Sequence, residues 1–166
     1  MNPRRASSEG TGPAARFRER GGFWVISQWV LMLGTLATGP LGASSWRNSW
    51  SLPLALVLLA AGACFGLGGV ARLGAARTIF PEPKPGAGLV QGGVYRVVRH
   101  PLYTSVILLS LAWALGWQSM PSLALAAASA VFLDAKARSE ERRLSRRFPD
   151  YDDYARRTRR LLPWIY

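Results

Sequence analysis

Two residue types on which many small active sites and metal centres depend are nearly missing. The 166-residue chain has one cysteine, Cys64, and one histidine, His100. A single cysteine excludes a disulfide within the chain and any cysteine metal cluster, and a single histidine leaves no conventional zinc site. Acidic residues are also scarce: nine Asp and Glu stand against 21 Lys and Arg, and charged residues make up 18% of the chain, where a soluble domain has roughly a quarter. The formal charge of +12 raises the question of nucleic acid, but the basic residues flank apolar runs instead of lining one face, which argues against that partner. A nucleotide-binding glycine fingerprint is absent too. Gly-Gly-Val at 68–70 and at 92–94 lacks the strand–loop–helix setting that such a loop needs.

What the chain does have is apolar residues, 49% of the total, and they are bunched. Residues 1–22 form a polar arm with five arginines, expected to be disordered or to lie on a surface. A single domain is expected over 23–166, all-α and membrane-integral, with four spans near 23–41, 52–71, 101–120 and 121–137, the last continuing as a helix to 148. The first run could be a late signal sequence, but three further apolar segments favour its retention as a span. The second run is long enough for a bilayer of about 30 Å at about 1.5 Å per residue. It carries Gly62 and Gly66 at a spacing that lets another helix approach closely, so a helix-mediated homo-oligomer through that face is one expectation; tolerance of glycine in lipid is the other. The segment 72–91 contains Pro81, Pro83 and Pro85 and cannot continue as helix. The fourth run is apolar for only about 13 residues, marginal as a span by itself.

Charge supplies the topology that hydropathy leaves open. Of the 21 Lys and Arg, five lie in the N-terminal arm, five between 72 and 99, and ten from Lys136 onward; Arg47 alone falls elsewhere. Alternate connections are therefore basic, the positive-inside pattern for four spans in an inner membrane with both ends cytoplasmic. The turn at 118–121 is so short that the last two helices must be antiparallel neighbours. This returns Glu140 and Glu141 to the level of His100 on the cytoplasmic side. His100, preceded by Arg99 and followed by Pro101 at a first helical position, puts two polar side chains and several uncommitted backbone N–H groups at one helix start. The spacing reads either as an anion-holding site or as a basic residue snorkelling beside a proline cap. Glu140, Leu144 and Phe148 share a helical face, which turns Glu140 inward and leaves Glu141 to a solvated, ion-paired face. Lys136 and Glu140 stand four apart and can pair. Tyr95 and Tyr103 flank the histidine, and Tyr103 could equally be an interfacial belt residue.

Taken in order, Gly93-Val94-Tyr95, Arg99-His100-Pro101-Leu102-Tyr103, Glu140-Glu141-Arg142-Arg143-Leu144, Phe148, Tyr151-Asp152-Asp153-Tyr154 and Leu161-Leu162-Pro163 resemble the small integral-membrane methyltransferases that include isoprenylcysteine carboxyl methyltransferase and the phospholipid N-methyltransferases. The resemblance covers roughly residues 86–163. It implies S-adenosylmethionine as methyl donor, contacted by Ala87, Gly88, Leu89, Val90, Tyr95, His100, Pro101, Leu102, Tyr103 and Glu140. It also implies His100, Glu140 and Arg99 in the chemistry and Lys136 towards substrate. The acceptor would be lipophilic: a phospholipid amine, a thiol or a lipidated-cysteine carboxylate. Lys136 stands where the isoprenylcysteine enzymes carry an arginine, and a lysine lacks the bidentate fork for a carboxylate. Two other readings stay open on the residues alone: a membrane-embedded NADPH-dependent reductase sharing a similar C-terminal hairpin, and a non-catalytic membrane binding or assembly protein.

Overall fold

The computed structural model describes residues 21–74 and 88–163, and within them the chain is helical. In order come α1 (Gly22–Leu41), α2 (Ser51–Leu73), a single 3-10 turn over Gly93–Arg96, α3 (Pro101–Trp117), α4 (Met120–Arg147) and α5 (Tyr151–Arg157). Extended pairing among the described residues is confined to one isolated parallel bridge, Val98 to Arg159. Residues 1–20 of the expected polar arm and the proline-rich part of the 72–91 connection, with Ala87, lie outside the described residues, and the arm's last residue, Gly22, already belongs to α1.

α1, α2 and α4 are each long and apolar enough to cross a membrane, whereas α3 is a shorter apolar helix. The shortfall thus falls on a different helix from the one the sequence put in doubt. α4 reaches 28 residues because it runs unbroken into its charged extension. α3 stops after 17 residues, about 25 Å at the helical rise, short of the expected end at 120. The cause is local. Gln118 takes a left-handed conformation (φ 52°) and closes α3 through its backbone N–H. The Ser119 hydroxyl then caps α4 by accepting from the N–H of Ser122 at 3.3 Å, the usual device for an orphaned first-turn donor. α2 starts on a similar cap, with the Asn48 carboxamide oxygen accepting from both the N–H and the hydroxyl of Ser51.

The helices pack as two antiparallel pairs held together by α3 and α4. On the first, the capping Ser119 and Ser122 of α4 donate to the carbonyls of Thr38 and Thr35 of α1 at 2.7 and 3.0 Å. On the second, α2 lies against α3 so closely that a Cβ at Gly66 would stand 2.6 Å from Ser105 Oγ and one at Gly62 3.0 Å from Leu109. Ser105 Oγ also donates to the Gly62 carbonyl at 2.7 Å. The close approach that the Gly62–Gly66 spacing permits is therefore taken up within the chain, by α3. Large apolar side chains point outward along all three long helices; Leu67 and Val131 are each 74% exposed. A helical protein that leaves such a surface uncovered is suited to hydrocarbon, not water.

Candidate functional site

The pairing pattern brings the start of α1, the end of α2, the start of α3 and the charged half of α4 to one end of the bundle. Among the described residues every arginine except Arg47 belongs to this end. The segment after α5 folds back across it. Arg99 N–H donates to the Arg159 carbonyl (2.8 Å), His100 N–H to the Arg160 carbonyl (3.2 Å) and Arg159 N–H to the Val97 carbonyl (3.1 Å). Thr104 Oγ1 donates to the Leu161 carbonyl at 2.7 Å, and Tyr154 OH to the Tyr95 carbonyl at 2.7 Å. These contacts correct the expectation of a helix start rich in uncommitted N–H groups: those of Arg99 and His100 are engaged by a segment some 60 residues later.

The two adjacent glutamates divide their work, and Glu141 departs from the solvated role expected of it. Its side chain is 12% exposed, with Oε1 accepting from Arg99 Nε at 2.8 Å and Oε2 paired with Arg160 at 2.9 Å. Arg160 also reaches Asp134 Oδ1 at 3.3 Å, one stripe along α4. Arg99 donates from Nη1 to the carbonyls of Ala155 and Thr158 at 2.9 and 2.7 Å, capping the end of α5. Glu141 lies beyond the apolar section of α4, in its charged extension. Burial alone would raise its carboxyl; the adjoining His100 imidazole and Arg99 guanidinium override that and hold it at about 2. It braces the C-terminal segment.

Glu140 faces the other way, with Leu144 and Phe148, into a half-open pocket. Tyr103 OH donates to Glu140 Oε2 at 2.9 Å, and His100 Nδ1 stands 3.8 Å from the same oxygen. The His100 ring is 7% exposed and stacks flat on Tyr103, centroids 5.2 Å apart. Its Nε2 lies 3.3 Å from Glu141 Oε1, near enough for attraction but out of line for a hydrogen bond. Nε2 of His100 and the hydroxyl of Tyr151 are buried and without hydrogen-bond partners among the described residues. Tyr95, Tyr151 and Tyr154 complete an aromatic wall. Burial first, then the Glu140 charge, pushes the Tyr95 phenol up to about 12, and burial also raises Tyr151 and Tyr154, so the wall is neutral near pH 7.

Of the residues singled out from sequence, Gly88, Leu89, Val90, Tyr95, Arg99, His100, Pro101, Leu102, Tyr103 and Glu140 line this one pocket. Ala87 lies outside the described residues. Lys136 is not among the lining; its ammonium donates to Gln28 Oε1 at 2.7 Å, so the pairing expected from its spacing to Glu140 is replaced by a partner on α1. Sequence reasoning passed over Leu73 and the site role of Tyr151 and Tyr154, although a tyrosine pair three apart does place both rings on one face of a helix. Nothing local signals Thr158 or Arg160.

The family sequence model for phospholipid methyltransferases matches residues 50–150, from the start of α2 to the end of α4. The chain is 32% identical over 147 residues to the nickel-cobalt-cadmium resistance protein NccN of Alcaligenes xylosoxydans xylosoxydans, an overlap of 88% of this chain and 65% of that protein. It is 35% identical over 147 residues to the cobalt-zinc-cadmium resistance protein CzcN of Cupriavidus metallidurans, covering 88% and 64%. The chain spans a little under two-thirds of the length of both relatives.

Proposed function

The chain belongs to the phospholipid methyltransferase family, and from that premise we propose that it transfers a methyl group from S-adenosylmethionine to a lipophilic acceptor at the cytoplasmic face of a membrane. The observation that carries the reading is the convergence of His100, Tyr103 and Glu140 in one aromatic-walled pocket at the basic end of the bundle. The topology follows from the positive-inside rule: α1 to α4 span, α3 as the short one, with the arginine-rich end in the cytoplasm and Arg47 outside.

The donor's parts have counterparts in the lining. An adenine ring suits the tyrosine wall, an ammonium suits the Glu140 carboxylate, and the two orphaned polar atoms, His100 Nε2 and Tyr151 OH, are buried groups still in want of a partner. S-adenosylmethionine supplies a methyl already activated on a sulfonium, so the protein's task is alignment and exclusion of water. Tyr103 fixes one oxygen of Glu140 and leaves the other for a charge-assisted bond. The flat stack on Tyr103 fixes the His100 ring. An amine acceptor must give up a proton, and His100 in its neutral form can take it. A thiolate or carboxylate acceptor needs no such base. Arg99, with Glu141, Ala155 and Thr158 already on its nitrogens, positions the C-terminal segment over the pocket. The lipophilic part of the acceptor enters from the bilayer between helices.

Two relatives carry names tied to metal resistance. The proposed action of this chain is on a membrane-partitioned molecule. The test is calorimetric titration of the purified protein with S-adenosylhomocysteine, alongside H100A and E140Q. Binding in the micromolar range, weakened about tenfold or more by each change, is expected. Wild-type affinity in both variants would refute the assignment.

A further inference from the structure

Gln28 is the strongest polar interruption of the first apolar run, and the proposed reaction leaves it without a task. Its partner Lys136 is 2% exposed and lies towards the end of the apolar section of α4. An ammonium at such depth is costly unless it is paired or used. Yet no carboxylate lies within ion-pair reach of it among the described residues. Two contacts account for it instead. Gln28 Oε1 accepts from Nζ at 2.7 Å, and Nζ stands over the Tyr103 ring at 5.2 Å from its centroid. Tyr103 in turn donates its hydroxyl to Glu140 Oε2 at 2.9 Å. A cation over a phenol draws electron density from the ring and makes its O–H a better donor.

We infer that Lys136, held in place by Gln28, is a positioning residue for Glu140 acting through the Tyr103 hydroxyl, and that α1 is thereby a working part of the site. α1 lies outside residues 50–150, the span matched to the family. This role differs from direct contact between Lys136 and substrate, because the lysine sits one layer behind the pocket. The inference rests on the methyl-donor reading in one respect: Glu140 is the group that meets the donor's ammonium. The pairing Gln28–Lys136 also spans 108 residues and ties α1 to α4. A purely structural tie would weaken every ligand alike, whereas a positioning role acts on the ammonium alone.

The experiment compares S-adenosylhomocysteine with its deaminated analogue, which lacks the α-amino group, on detergent-purified full-length wild type, Gln28→Leu, Gln28→Glu, Lys136→Met and Tyr103→Phe. Thermal midpoints are recorded in parallel. Gln28→Leu and Lys136→Met are expected to weaken S-adenosylhomocysteine about three- to tenfold and to leave the deaminated analogue within twofold of wild type. Gln28→Glu, which keeps the acceptor, should retain wild-type affinity for both. Tyr103→Phe should reproduce the Lys136→Met loss, and combining the two should add little to it. Should Gln28→Leu fold poorly, Lys136→Met, which removes the charge with its partner's need for it, carries the comparison. Unchanged binding in Lys136→Met, or equal losses for the two ligands, would overturn the inference while leaving the methyl-donor reading intact. Failure of the wild type to bind S-adenosylhomocysteine would refute both.

Discussion

Replacing Glu141 by glutamine removes the charge that His100, Arg99 and Arg160 surround and leaves an amide of nearly the same shape. The folded carboxyl titrates at about 2 against an ordinary 4.5. Because the folded value is the lower one, the unfolded chain binds the proton more tightly, and stability rises with pH across this window. The contribution is complete above 4.5 and lost as the pH falls to about 2. A gap of this size corresponds to about 3 kcal/mol, and for a chain of this length to roughly 6–12 °C in thermal midpoint. The assay is near-ultraviolet circular dichroism of detergent-purified wild type and E141Q, melted at pH 7 and at steps down to pH 2. Seven tryptophans supply the signal. E141Q should melt well below the wild type at pH 7, under about half of that gap should remain near pH 3, and almost none near pH 2. A gap that stays constant with pH, or no gap at pH 7, would refute the view that Glu141 braces the C-terminal segment as an anion.

Three further outcomes follow from the packing and topology. Gly66→Val should cost about 1–3 kcal/mol and lower the thermal midpoint, since its Cβ would meet a Ser105 hydroxyl that is itself tied to the Gly62 carbonyl; a variant as stable as wild type would mean that α2 and α3 are less closely packed. Tyr154→Phe removes the buried hydrogen bond to the Tyr95 carbonyl and should cost about 1 kcal/mol, read by the same melt; no change would show that bond to be idle. In a Cys64→Ala background, a Ser45→Cys variant on intact cells should react with a membrane-impermeant maleimide, whereas Ser145→Cys should react only after permeabilisation; the reverse pattern would invert the proposed orientation.

The glutamate pair shows how far the residues could be read without the fold. The helical period alone places Glu140, Leu144 and Phe148 on one stripe, and all three do line the pocket. The same period turns Glu141 about 100° away, but whether that direction meets water depends on what else the chain places there. Here it meets Arg99, 42 residues earlier, and Arg160, 19 residues later, because the segment after α5 folds back. Lys136 follows the same rule: Glu140 is near in sequence, but Gln28 is the partner that α1 brings within 2.7 Å. The helix start at His100 looked rich in free donors because the local rule counts only local acceptors, and the bridge to Arg159 and Arg160 is not local.

What the chain determined without reference to its fold is what depends on residues near one another: helical class, apolar runs of spanning length, their basic flanks, and the inward stripe of α4. Periodicity and hydropathy are properties of ten or twenty consecutive residues, so they survive in any fold the chain adopts. Which glutamate braces and which faces the pocket, which glycines admit a neighbour, and what holds the buried lysine were decided only when distant segments met. A buried polar group takes whichever partner packing delivers, since leaving it unpaired costs more than any preference of spacing.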